Sequence, residues 1–140
     1  MALTPILAES VTIGPVTEEQ ATVQTSRTYK VDFTTRRVVG FIDGRDALKQ
    51  AIYKIIQTER FAHLIYSWAY GFEGNRLFGK SQPEVKAEAE RLITEALTTD
   101  DRISSVQGFS IEFPSKRSAA VSFTAVSIFG DIEITTEVTI

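Results

Sequence analysis

The apolar residues of this chain change period twice, and that change limits the possible folds more than any other feature. Tyr29, Val31 and Phe33 alternate with polar residues, Thr34-Thr35 offers a turn, and Arg37 to Ile42 favours β structure, which together predict a hairpin. From Asp43 the spacing turns helical. Asp43 is placed to cap a helix whose buried stripe is Leu48, Ala51, Ile52, Ile55 and Ile56, with Lys49, Gln50, Lys54 and Gln57 on the opposite face. A second helix is expected from Ser81, where SQPE reads as a capping box with Pro83 in the first turn and a stripe of Val85, Ala89, Leu92, Ile93 and Ala96. Beyond Asp100-Asp101 alternation returns at Phe109, Ile111 and Phe113, then over Ala119 to Ile128, and over Ile132 to Ile140 after Gly130-Asp131. The order β-β-α-loop-α-β-β-β lacks the βαβ crossovers of a parallel sheet. The expected fold is α+β: a small antiparallel or mixed sheet packed against two main helices.

Residues 1–27 hold Pro5, Gly14 and Pro15 and keep no period, so they are read as an extended N-terminal arm ahead of a single domain over 28–140. Ile6, Leu7, Val11, Ile13 and Val16 make this arm too apolar for a solvated linker, and a neighbouring surface is its expected resting place. The 140 residues, 43% hydrophobic, suffice for one buried core. With no cysteine and one histidine, His63, neither a disulfide framework nor a Cys/His zinc site can be built, and no metal or cofactor is expected. A net charge of -3 supplies no broad positive field for nucleic acid. MALTPILAES lacks the features of a signal peptide, and no run of about 18 apolar residues offers a membrane span, so synthesis in the cytoplasm is expected.

Gly74 to Ser81, GNRLFGKS, fits the phosphate-loop pattern GxxxxGK[ST] at every specified position. A working loop needs a preceding strand, a helix opening at its lysine, and small residues whose N–H groups converge on phosphate. Here Arg76, Leu77 and Phe78 fill the loop, and Pro83 should keep Gln82 out of the helical region. Nucleotide binding is therefore a minor alternative. Glu59 and Glu73 flank the aromatic stretch Phe61 to Phe72 and suggest a second one, a glycoside hydrolase with Tyr66, Trp68 and Tyr70 as sugar platforms. That stretch holds five of the fourteen aromatic residues, so its simplest role is core. His63, with Ser67 four residues on but no triad context, reads as a partly buried structural residue.

Taken together, Tyr29-Lys30-Val31-Asp32-Phe33, Val39-Gly40-Phe41-Ile42-Asp43-Gly44, Ala47-Leu48-Lys49-Gln50-Ala51-Ile52 and Ile65-Tyr66-Ser67-Trp68-Ala69-Tyr70-Gly71 resemble the baseplate proteins of contractile phage tails and phage-tail-like bacteriocins of Gram-positive bacteria. The resemblance runs from about Thr28 to Ile140, with GFIDG, IYSW-YG, LFGK and GDIEI in order. It implies an α+β sheath initiator, related in fold to the T-even baseplate wedge component once described as lysozyme-like; a peptidoglycan-degrading tail enzyme is the corresponding alternative. It also implies six copies around the tail tube or hub, contacts to baseplate wedge proteins and to the tail sheath protein, and no catalytic residue, nucleic acid or membrane. Distant wedge relatives carry a Glu-Pro-Arg signature, of which Glu59-Arg60 would be a remnant without the proline.

Two interfaces are expected on that basis. The last strand, with Ile132, Glu133, Ile134, Thr136, Val138 and Ile140, would lend its edge to an arm of the sheath by β-augmentation, unless it is an internal strand of the domain's own sheet. Glu59, Arg60, Tyr66, Trp68 and Tyr70 would face the wedge.

Overall fold

The computed structural model describes residues 25–140, so the expected arm lies outside the described residues except for its last three positions. The predicted hairpin is present as β1 (Thr28–Asp32) and β2 (Arg37–Ile42), paired antiparallel. Its turn is built by Asp32, whose Oδ1 accepts from the backbone N–H of Thr34 at 2.9 Å and of Thr35 at 3.3 Å. Those two donors hold the Asp32 carboxyl below its ordinary range. Phe33, expected on the strand, stands in the turn instead, and Arg36 closes it at a left-handed φ of 56°.

Helix α1 (Gly44–Gln57) starts where expected: Asp43 Oδ1 accepts from the Gly44 N–H at 2.7 Å. Its buried residues include Ala47, Leu48, Ile52, Ile55 and Ile56. Gln50, expected on the outer face, is buried as well, because it bonds to the hairpin backbone. Helix α2 (Gln82–Thr98) is closed at its start by Glu84, whose carboxylate accepts from both the N–H and the hydroxyl of Ser81 at 2.9 Å. Gln82 opens this helix rather than staying out of it. Pro83 is tolerated there because a first-turn N–H has no partner inside the helix. The expected stripe is buried in full and gains Leu97.

The three remaining strands, β3 (Ile103–Ser115), β4 (Ser118–Ser127) and β5 (Gly130–Thr139), form a separate antiparallel sheet in the order β3-β4-β5. β3 begins six residues earlier than the Phe109 alternation suggests. Its register with β4 shifts three times, between Ile103 and Ser105, Gln107 and Ser110, and Glu112 and Ser115. The β4–β5 register runs unbroken from Ser118↔Thr139 to Ser127↔Gly130.

One face of this sheet, with Ala119, Val121, Phe123, Ala125, Ile132, Ile134 and Val138, packs against the apolar stripes of α1 and α2. Full burial of one such aliphatic side chain is worth about 1.5–3 kcal/mol, so this layer dominates stability. The hairpin sits outside the layer, with α1 packed against β1. Among the described residues no helix is long and apolar enough to cross a membrane.

Candidate interaction surfaces

β5 is an edge strand of the sheet, paired on one side to β4. The Ile140 N–H donates to the Arg117 carbonyl at 2.8 Å, which fixes the parity of the ladder. Residues 132, 134, 136, 138 and 140 direct their backbone groups to β4, while Glu133, Thr135 and Glu137 direct theirs away from it. The side chains follow the same alternation. Ile132 and Ile134 are 1% exposed and Val138 8%, Thr136 and Ile140 are half-buried, and Glu133, Thr135 and Glu137 are exposed. The apolar residues expected to meet a partner thus serve the protein's own core, and β5 presents backbone and acidic outer side chains. One outward group is already engaged: the Tyr53 hydroxyl of α1 donates to the Thr135 carbonyl at 3.3 Å. Sequence reading missed Tyr53, whose only signal was a phenol set beside the apolar stripe of α1.

The aromatic stretch is not core. Phe61, Leu64, Ile65, Tyr66 and Trp68 are exposed, Trp68 at 84%, and of the aromatic side chains only Phe72 is buried, with Tyr70 half-buried. His63, expected to be partly buried, is also exposed. The reason is local: successive turns, with Ala62 N–H donating to Glu59, Tyr66 to His63 and Tyr70 to Ser67, give the segment no continuous face to bury. The loop is closed at its neck, where the Phe72 N–H donates to the Thr58 carbonyl at 2.8 Å and the Arg60 N–H to the Phe72 carbonyl at 3.2 Å. Gly71, at φ 111°, passes so close that a Cβ there would lie 2.9 Å from the Arg60 Cα and the Thr58 carbonyl.

Of the five residues expected to face the wedge, Glu59 and Arg60 brace the loop, Tyr66 and Trp68 are displayed by it, and Tyr70 is half-buried against the core. Arg60 Nε donates to the Trp68 carbonyl at 2.7 Å, and its Nη1 meets Glu95 Oε1 of α2 at 3.0 Å. Its guanidinium also lies 4.7 Å from the Phe61 ring centroid. Glu59 Oε1 accepts from the Asn75 N–H at 3.4 Å. The Tyr66 and Tyr70 rings stack at 4.6 Å, tilted by 31°, with His63 edge-on to Tyr66. Burial raises the pKa of the Tyr70 phenol.

The segment that spells a phosphate loop has a different build. Gly74–Leu77 is a single 3-10 turn preceded by loop, with Leu77 buried under it and Lys80 exposed beyond it. The N–H groups of Gly74, Asn75, Arg76 and Phe78 donate to Phe72, Glu59, Glu73 and Asn75 respectively, so they do not converge on an anion. Glu73, the second carboxylate of the hydrolase alternative, pairs with Arg76 at 3.3 Å. Both carboxylates are therefore taken up in holding this loop.

The profile of the contractile injection system sheath initiator family matches residues 24–130. The chain belongs to that family. The match spans the hairpin, both helices, the aromatic loop and β4, and it stops at the first residue of β5. This sheath initiator is also 39% identical to the phage-like element PBSX protein XkdS of Bacillus subtilis strain 168, with 96% of this chain and 94% of the relative aligned. Membership assigns it to the tail of a contractile particle.

Proposed function

We propose that this sheath initiator is a structural link with no reaction of its own, joining the baseplate to the first ring of the sheath. Its β5 edge pairs with an extended arm of a sheath subunit, while the aromatic loop, with Tyr66 and Trp68 at its surface and Tyr70 half-buried beneath them, docks on baseplate wedge proteins. Six copies would surround the tube. The observation that carries this reading is the outward row of backbone groups at Glu133, Thr135 and Glu137, on a strand whose apolar side is already satisfied by the core. The Tyr53 hydroxyl does not block it, because a carbonyl has two lone pairs and Thr135 can accept from Tyr53 and from an incoming strand together.

A proline tests the edge without touching the core. Glu137→Pro removes an outward N–H while leaving the ladder to β4 intact, whereas Val138→Pro removes a ladder donor. Glu137→Pro protein should melt within a few degrees of the parent and enter baseplates, yet the particles should lack sheath. Full sheaths on Glu137→Pro particles would overturn the pairing.

A further inference from the structure

The β1–β2 hairpin carries a surface that the pairing at β5 does not use. The outer edge of β1 is closed by α1: Gln50 Oε1 accepts from the Val31 N–H at 2.9 Å, and Gln50 Nε2 donates to the Tyr29 carbonyl at 2.8 Å, as a neighbouring strand would. Among the described residues the outer edge of β2 has no such cover. Arg37, Val38, Val39, Gly40 and Phe41 are exposed in succession, Val38 at 61% and Phe41 at 58%. Tyr29 stacks on Phe41 with ring centroids 5.1 Å apart, which extends the apolar surface across both strands. An open strand edge with apolar side chains beside it is a template for another chain.

Charge selects the kind of chain. Between Arg27 and Ile42 stand Arg27, Lys30, Arg36 and Arg37 against the single acid Asp32, in a protein of net charge -3. Asp32 turns its carboxylate to the Thr34 and Thr35 N–H groups. Among the described residues none of the four cations forms an ion pair, and Arg27 instead lies 4.7 Å over the Phe41 ring. Pairing two copies through this edge would set Arg36 and Arg37 against themselves, which is unfavourable. The chain's own upstream residues join at Thr25, ahead of β1, the strand whose outer edge is closed.

We propose that β2 is a second docking edge, which takes an acidic, extended segment of another protein of the particle. The segment adds as a third strand to the hairpin, with its acidic residues near Arg36 and Arg37 and its apolar residues against Tyr29 and Phe41. The inference is independent of the β5 pairing, since the two edges belong to different sheets.

The test places the photo-crosslinker p-benzoylphenylalanine at Val38 in the full-length chain, and at Lys86 on the exposed face of α2 as a control, in assembling particles. Irradiation should link position 38, well above the yield at position 86, to a net-acidic segment of a different protein. Combining it with Arg36→Glu and Arg37→Glu should cut that yield on the order of tenfold, with an unchanged melting temperature. The proposal is overturned by any of four results: a yield at position 38 no higher than at 86; a neutral or basic linked segment; links confined to residues 1–24 or to a second copy; or no loss on charge reversal. Glu137→Pro acts on the other sheet, so either reading can fail alone.

Discussion

Gln50 and Tyr53 lie one helical turn apart on α1, and each uses a polar head to hold a strand that is distant in sequence. Gln50 bridges two backbone groups of β1, 19 and 21 residues away, and Tyr53 reaches Thr135, 82 residues away. Gln50→Leu would keep the volume and lose both bonds, leaving the Val31 N–H and the Tyr29 carbonyl without protein partners. The expected cost is about 1–3 kcal/mol, read by urea denaturation, with faster exchange of the Val31 amide. An unchanged midpoint and unchanged exchange would mean that the hairpin is held otherwise. Asp43 and Glu84 were legible in the sequence because capping chemistry is completed within a few residues. Gln50 was not, because its placement depends on a partner that only the tertiary fold supplies. On the helical wheel it reads as solvent-facing.

The helices themselves were readable from their stripes, since a period of 3.6 sustained over three or more turns has few competing explanations. The aromatic segment was misread for a related reason. Aromatic content argues for burial on average, but burial needs a continuous face, and Phe61 to Phe72 is a chain of turns pinned at its neck. Arg60 is the pin, joining the Trp68 carbonyl to Glu95. Arg60→Ala should leave the melting temperature nearly unchanged, since a partly exposed ion pair contributes about 0–1 kcal/mol. It should also raise chymotrypsin cleavage between Phe61 and Tyr70 about fivefold by loosening the loop. Arg60→Lys should not restore protection, because an ammonium cannot span both acceptors in the fork geometry of guanidinium. Equal cleavage of all three proteins would remove Arg60 from this role.

Across the whole molecule, helix and sheet meet at a charged corner. Asp100, after α2, accepts from Arg102 Nε at 2.9 Å, Nη2 at 2.7 Å and the backbone N–H at 3.0 Å, just before β3 begins. The guanidinium holds the Asp100 carboxyl below its ordinary 3.8, despite the opposing effect of partial burial. A carboxyl with a lowered folded pKa stabilises the fold above its unfolded value, and that contribution is lost as pH falls through the folded value. The melting temperature should therefore drop below about pH 4, and Asp100→Asn should be less stable at neutral pH yet lose less on acidification. Parallel melting curves for both proteins from pH 7 to pH 3 would refute the corner's part in this. The antiparallel α+β order was legible from the alternation and the two helices. The sequence did not reveal that the hairpin stands as its own sheet, or that β5 lies at an edge, because an edge strand and a central one can share the same alternation.

The two rims of the main sheet are unequal. β3 is interrupted by three shifts of register, whereas β5 runs straight along β4. A bulged rim is a poor guide for a further strand, because each irregularity breaks the spacing a newcomer must match. On the proposed role, additions to this sheet would come from one flank alone. Each copy would then impart a handed, one-way start to the sheath that grows from it, so polarity would be set before the second ring arrives.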